Sequence, residues 1–277
     1  MTMLPEWFFF SVVGVFGLII GSFLNVVIYR LHTGRSLNDR SHCLSCGRTL
    51  SWYELFPVLS YLVLRARCRS CHSFIPYRYA LVELLTAGAF MLAYLNFYSW
   101  WFLILDCALL STLVVVLVYD FYHKIIPDEL SIATTLIALL IVGAKVWSSG
   151  DYLQFFLSIS AGGIAAFLLT ALWYLSQGRA IGFGDAKISF GLGMLVGFGG
   201  LFSFLVLAFV LGAVIGIALI LLSTGAIRRM TGGRIGGRVN MKSEVPFAPF
   251  LIASFVLVYF LNIDVLLLVE RTLLTIL

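Results

Sequence analysis

The sequence contains few charged residues. Only 11% of its 277 residues are Asp, Glu, Lys or Arg, whereas 61% are hydrophobic, and the mean hydropathy is +1.05. A chain of this composition carries more apolar surface than a soluble domain can bury. The composition therefore excludes an ordinary soluble enzyme and predicts an all-α polytopic membrane protein.

The N-terminus lacks the basic segment that opens a cleavable signal peptide. Its first apolar run continues to about Val27, which is long enough to span a bilayer. We therefore expect the first helix to be retained as a membrane anchor.

Eight apolar runs approach the roughly 20 residues that a spanning helix needs. The stretch 187–223 is too long for one span and contains Gly197, Gly199 and Gly200, so we expect two helices joined by a tight turn there. The sequence thus predicts about eight transmembrane helices, near 7–28, 80–97, 100–119, 130–147, 153–175, 187–199, 201–223 and 247–269.

The basic residues predict the orientation of the chain. With the loop 30–78 in the cytoplasm, alternation of the helices leaves only Lys145 and Arg271 of the 18 basic residues on the far side. This is the positive-inside bias, and it places both termini outside the cytoplasm. It also explains the net charge of +5 without a nucleic-acid partner, and we expect none. The Gly-rich, basic loop 224–246 is predicted to be a cytoplasmic linker near lipid headgroups.

Four cysteines form two C-x-x-C pairs in the loop after the first helix. The pairs, Cys43 with Cys46 and Cys68 with Cys71, are separated by 21 residues. Four thiolates at this spacing are typical of a closed, structural zinc site. Paired disulfides are the alternative, and a cytoplasmic loop disfavours them because that compartment is reducing. A loop of about 50 residues with few large apolar side chains can gain its folding free energy from the metal.

Two aspartates lie where an apolar run meets a polar turn. Asp120 ends the run 100–120, and Asp185 follows the glycines of the stretch 181–191, IGFGDAKISFG. Carboxylates at the edge of a bilayer core lose hydration, so they usually face a water-filled cavity and perform chemistry. The alternative for Asp185 is a helix cap, with Gly182 and Gly184 supplying positive φ. The topology predicts both aspartates at cytoplasmic helix ends, as a potential catalytic pair.

Three other polar residues have open roles. Glu83, near the cytoplasmic face, is either a substrate or donor contact or an ordinary interfacial carboxylate. Asn25 is suited to a hydrogen bond between helices. Lys187 either stabilises the charged form of Asp185 or, as we favour, extends toward lipid headgroups.

Six segments accompany the two C-x-x-C pairs: GSFLNVVIYRL (21–31), WYELFPVLSYL (52–62), YRYALVELLT (77–86), DFYHKIIPDEL (120–130), GFGDAK (182–187) and VPFAPFL (245–251). In these segments and in the cysteine pairs the chain resembles the type IV prepilin peptidases, bifunctional leader peptidases and N-methyltransferases of the bacterial inner membrane. The resemblance covers most of the chain, and its specificity lies in the order and spacing of the segments.

The resemblance implies that Asp120 and Asp185 are the catalytic pair. Asp128, in Ile-Pro-Asp, is then interpreted as the N-cap of the following helix. The implied reaction is cleavage of a prepilin or pilin-like secretion subunit after a Gly, followed by N-methylation of the new N-terminus with S-adenosylmethionine. The methyltransferase activity rests on the resemblance alone, because no Gly-rich loop of a soluble methyltransferase is present.

The resemblance also has departures and implies a division of the chain. Leu44, His72 and Ala248 replace the Pro, Gly and Gly that the family commonly has. We expect a first transmembrane helix at 1–29, a zinc-binding cytoplasmic domain at 30–78 and a catalytic bundle at 79–277.

Two other functions fit parts of the sequence. A presenilin-like or signal-peptide-peptidase-like protease would share the Gly-x-Gly-Asp element, but it would also have a Pro-Ala-Leu element, which this sequence lacks. A proton-coupled transporter would use paired carboxylates, but it would usually show inverted repeats, and none is evident.

Overall fold

The structure is a computed structural model that describes residues 5–34, 36, 39–223 and 246–267. Within these residues the fold is helical, and the only extended pairing is two isolated β-bridges in the loop after the first helix. This confirms the predicted all-α class. Apart from Pro246, the predicted basic loop 224–246 lies outside the described residues.

Helices make up most of the described residues. A 3₁₀ helix, η1 (Trp52–Leu55), lies in the cysteine loop. The α-helices are α1 (Glu6–Thr33), α2 (Leu59–Val63), α3 (Arg78–Leu95), α4 (Trp100–His123), α5 (Asp128–Ser149), α6 (Tyr152–Leu175), α7 (Phe183–Ser223) and α8 (Ala248–Tyr259).

Six of the described helices are long and apolar enough to cross a membrane: α1 and α3 to α7. The chain is therefore an integral membrane protein. Helix α7 is interrupted at Gly197, which has φ 68° and ψ −178°, so the expected break in 187–223 is confirmed at a single residue. Glycine permits this backbone because it has no Cβ. The count of eight spans stays a prediction.

The last predicted helix, 247–269, is wrong in its length. Helix α8 ends at Tyr259, and the chain turns through Asn262, whose φ is 52°. The side chain of Asp264 then accepts hydrogen bonds from the Ser203 hydroxyl and the Leu266 N–H, at 2.8 and 2.9 Å. These hydrogen bonds satisfy the Asp264 carboxylate and the Leu266 N–H, polar groups that would otherwise be left exposed to lipid.

The chain divides into two compact units, Met1–Tyr122 and His123–Leu277. In the first unit α1 packs closely on α3, since a Cβ added at Gly17 or Gly21 would lie 2.7 Å from the Cα of Ala87 or Glu83. The Asn25 amide donates to the Tyr79 carbonyl at 3.0 Å, which confirms the predicted interhelical hydrogen bond. Small residues allow this approach, and the side-chain bond fixes it.

In the second unit α7 is the central helix, packed against α5, α6 and α8. Gly162 of α6 lies against the Phe190 carbonyl of α7, where an added Cβ would be only 2.5 Å away. The division after Tyr122 separates two compact units and does not test the predicted domain boundaries at 29 and 78, which stay predictions.

Candidate active site

The four cysteines of the loop converge. Their sulfur atoms lie within 4.8 Å of one another, and the Cys43 and Cys71 sulfurs are 3.8 Å apart. All four are free of disulfide bonds. They therefore form a site that could hold a metal ion.

Each C-x-x-C pair sits on the same kind of turn. The N–H of Cys43 donates to the Arg48 carbonyl at 2.8 Å, and the N–H of Cys68 donates to the Ser73 carbonyl at 2.9 Å. Four residues after the first cysteine of each pair the backbone is left-handed, at Gly47 with φ 72° and at His72 with φ 55°. His72 thus adopts a conformation that glycine takes without strain, and histidine is one of the residues that tolerates it.

The thiols are not equivalent. The Cys46 N–H hydrogen bonds to the Cys43 sulfur and lowers the pKa of Cys43 to about 6. Hydrogen bonds from the Ser73 hydroxyl and N–H lower the pKa of Cys71. At Cys46 the Arg48 N–H donates a hydrogen bond that lowers the pKa. Loss of hydration and the neighbouring Cys43 outweigh this hydrogen bond and raise the pKa of Cys46 to about 11. The hydrogen bonds to Cys43 favour its thiolate, the form in which a cysteine binds metals.

Asp185 lies in the first turn of α7 and is buried, with 5% of its surface exposed. Its Oδ2 accepts the Gly182 N–H at 3.1 Å, and its own N–H donates to the Gly182 carbonyl. Asp185, the third residue of the helix, therefore reaches back to the residue before the helix, as the acidic residue of a capping box does. Capping and a chemical role are compatible here, because one carboxylate has two oxygens.

The glycines of Gly-Phe-Gly-Asp serve close packing. Neither Gly182 nor Gly184 has a positive φ, so the alternative in which they supply it is wrong in that respect. A Cβ added at Gly184 would lie 2.9 Å from the Cβ of Ile126. Gly184 thereby lets the first turn of α7 approach the Ile-Pro-Asp segment at the start of α5.

An ion pair joins the same two segments. Lys187 Nζ lies 2.6 Å from Asp128 Oδ1 and also over the Phe183 ring, at 4.9 Å from its centroid. The N-cap of α5 is Pro127, and Asp128 is the first helical residue, so its interpretation as the N-cap was wrong. The pairing of Lys187 with Asp128 replaces the expected extension toward headgroups.

Asp120 lies in the last turn of α4 and is also buried, with 5% of its surface exposed. One turn earlier on the same face, Val116 is fully buried. Asp120 belongs to the first compact unit and Asp185 to the second, so their approach stays a prediction.

A cavity of about 430 Å³ lies in the first unit, between the cysteine loop and the adjoining parts of α1 and α3. Its walls include Asn25, Tyr61, Tyr79 and Glu83, together with Cys43 and Cys68 of the metal site. Glu83 is 8% exposed, and its carboxylate accepts the Val58 N–H at 2.7 Å. The sequence motifs gave no signal for this cavity, because its walls come from segments far apart in the chain.

Arg48 and Glu54, which the sequence analysis did not select, stabilise this loop. The Arg48 guanidinium pairs with both oxygens of Glu54, and Glu54 also accepts the Ser51 N–H at 2.8 Å. Arg48 precedes η1 and Glu54 lies within it, so the pair links the first C-x-x-C turn to that helix. Their opposite charges six residues apart were the only available signal.

Comparison with known proteins places these features in one family. Residues 15–97 match the Bacterial Peptidase A24 N-terminal domain, and residues 107–217 match the Type IV leader peptidase family. The chain belongs to the type IV leader peptidase family.

Similar proteins carry one name, prepilin leader peptidase/N-methyltransferase. The protein of Myxococcus xanthus is 38% identical over 76% of this chain and 63% of its own length. That of Aeromonas salmonicida is 31% identical over 91% of this chain and 92% of its own, and that of Pectobacterium carotovorum is 33% identical over 77% and 84%. No solved structure matches the chain.

Proposed function

We propose that this chain cleaves the leader peptide of prepilins or pilin-like secretion subunits and then N-methylates the new N-terminal residue. The names of its relatives support both activities. We further propose that it lies in the bacterial inner membrane, with the cysteine loop and both aspartates on the cytoplasmic side, as the distribution of basic residues favours.

Asp120 and Asp185 are the proposed catalytic pair. Peptide hydrolysis needs a base that activates water and an acid that protonates the leaving nitrogen. Two neighbouring carboxylates in a poorly hydrated site cannot both ionise, so together they retain one proton and can supply both functions. The observation that carries this proposal is the burial of both aspartates, at 5% exposure each, in predominantly apolar helices.

The cysteine site is proposed to hold one structural zinc ion. Four Zn–S bonds of about 2.3 Å in a tetrahedron place the sulfurs about 3.8 Å apart. The Cys43–Cys71 distance of 3.8 Å agrees with that geometry. With four protein ligands no position stays open for substrate, so the ion stabilises the loop and takes no part in hydrolysis.

Methyl transfer is proposed to use a separate site near the cysteine loop. S-adenosylmethionine supplies a methyl group on a positively charged sulfur, and the accepting amine must lose one proton. The amine and the donor have to be held in line, and this positioning provides most of the rate. A hydrolytic acid–base pair has no part in that reaction.

The test is to substitute each aspartate and to assay both reactions separately. Asp120→Asn and Asp185→Asn should each lower prepilin cleavage by at least about hundredfold, because each removes an acid–base group. With a pre-cleaved pilin and labelled S-adenosylmethionine, both variants should still methylate. Cleavage at the wild-type rate would contradict the catalytic pair. Loss of both activities in a folded variant would contradict separate sites.

The match to a leader peptidase family does not favour proton-coupled transport or a presenilin-like protease. In membrane vesicles that contain the protein, a transporter would couple solute uptake to a proton gradient, and we expect no such uptake.

A further inference from the structure

We propose that the cavity in the first compact unit binds the methyl donor and that Glu83 provides the negative charge that recognises its sulfonium group. This inference rests on the proposed methyltransferase function and gives it a location and a recognition residue.

Glu83 brings an acidic group to the wall of the cavity. Among the described residues its polar partners are the Val58 N–H and the Ser22 hydroxyl, and neither is a cation. Glu83 is only 8% exposed, so its carboxylate loses much of its hydration, which is costly without a positive partner. A cationic ligand beside Glu83 would supply that partner.

The Glu83 carboxylate also binds a strained stretch of backbone at Val58. Val58 has φ 60° and ψ −47°, and the Leu59 N–H donates to the Pro57 carbonyl across it, at 2.5 Å. This is a γ-turn of the rare, strained kind, and a β-branched residue is unfavourable there. Such strain persists where the surrounding structure enforces it, often at ligand sites. Glu83, whose carboxylate accepts the Val58 N–H, is one of the residues that line the cavity.

The size and the lining of the cavity suit a small-molecule ligand. A volume of about 430 Å³ lies within the range of small-molecule sites, which are mostly apolar with a few polar groups. Tyr29, Tyr61 and Tyr79 line it together with Glu83. Tyrosine rings suit both an adenine ring and a sulfonium group, because the face of an aromatic ring attracts cations.

The position of the cavity joins the metal site to this proposal. Cys43 and Cys68 form part of its wall, so a metal ion that fixes the loop also fixes one side of the cavity. Arg30 fixes the loop near its start, since its guanidinium donates to the Ser36 and Asp39 carbonyls at 2.6 and 2.5 Å. The donor site is therefore formed only when the loop is folded.

The decisive experiment compares two ligands that differ in charge at sulfur. S-adenosylmethionine is a sulfonium cation, whereas S-adenosylhomocysteine has a neutral thioether. Isothermal titration would measure both on the purified full-length protein. Glu83→Gln keeps an acceptor for the Val58 N–H but removes the charge, so the affinity for S-adenosylmethionine should fall about tenfold or more. The affinity for S-adenosylhomocysteine should change by less than about threefold.

A second pair of variants tests the location without relying on Glu83. Ala80 lines the cavity, and Ala80→Phe should abolish binding of both ligands. Leu84 lies on the same helix and is 53% exposed, so Leu84→Phe should bind both normally. Metal content and melting temperature should stay at wild-type values in each variant.

The outcomes separate this inference from the function on which it rests. If the wild-type protein binds S-adenosylmethionine but Glu83→Gln weakens both ligands equally, or neither, the role of Glu83 is wrong and the methyltransferase proposal stands. Normal binding by Ala80→Phe would overturn the location. If the wild-type protein binds neither ligand, both the inference and the methyltransferase proposal fail.

Discussion

The Lys187 ammonium lies 2.6 Å from the Asp128 carboxylate, although the two residues are 59 positions apart in sequence. This pair joins the first turn of α7 to the first turn of α5. Asp185, two residues before Lys187, is therefore carried by a turn that is fixed to a second helix.

The pair should nevertheless add little stability. Its side chains are 35% and 65% exposed, and exposed ion pairs contribute about 0.2–1 kcal/mol. We expect a double-mutant cycle of Lys187→Gln and Asp128→Asn, measured by thermal unfolding in detergent, to give a coupling energy in this range. The neighbouring Glu129→Gln should show no coupling to Lys187→Gln. A coupling of several kcal/mol would mean that the pair is shielded from water.

Gly184 should not tolerate a methyl group. In Gly184→Ala the new Cβ would meet the Ile126 Cβ at 2.9 Å, and overpacking of this kind costs about 1–3 kcal/mol. We expect a lower melting temperature and slower prepilin cleavage, because the displaced turn carries Asp185. Gly199, on the same helix, has open space around it, so Gly199→Ala is the matched control. Equal behaviour of the two variants would contradict the packing explanation.

The contact of α1 with α3 gives a parallel prediction in the first unit. Gly21→Ala would place a Cβ 2.7 Å from the Glu83 Cα, a backbone atom that cannot move by changing rotamer. We expect a loss of about 1–3 kcal/mol in unfolding free energy, measured by thermal or denaturant unfolding in detergent. Gly88→Ala on α3, which meets open space, should leave stability unchanged or slightly higher. If Gly21→Ala is as stable as Gly88→Ala, the helices are not in close contact at that point.

After metal removal, Cys43 should react with an alkylating agent faster than Cys46. After chelation at pH 7, Cys43, whose pKa is lowered to about 6, should be alkylated by iodoacetamide faster than Cys46, whose pKa is raised to about 11. Peptide mapping by mass spectrometry would measure both rates.

The metal-loaded protein is the control for this experiment. It should return about one zinc per chain and resist alkylation at all four cysteines, whereas a Cys43→Ser, Cys46→Ser double variant should lose the metal. The difference in rate between Cys43 and Cys46 should shrink as pH falls below about 6, where Cys43 also becomes protonated. Alkylation of the loaded protein at the chelated rate would contradict metal binding.

The sequence by itself determined the membrane class, the helical fold and the four-cysteine cluster. Composition decides whether a chain can bury its apolar surface in water, and this one cannot. The C-x-x-C spacing decides that two thiols sit on one tight turn, so each pair was predictable from residues three apart. The break in α7 was also visible, because glycine is concentrated around Gly197.

Only the tertiary structure decided which residues meet across the fold. Gly184 with Ile126, Lys187 with Asp128 and Glu83 with Val58 are contacts between segments at least 25 residues apart. Periodicity and spacing describe one segment at a time, so they could suggest positive φ at Gly184 but not its packing role. The cavity beside Glu83 depends on the same long-range packing. No local pattern encodes an empty volume, because its walls exist only when separate segments fold together.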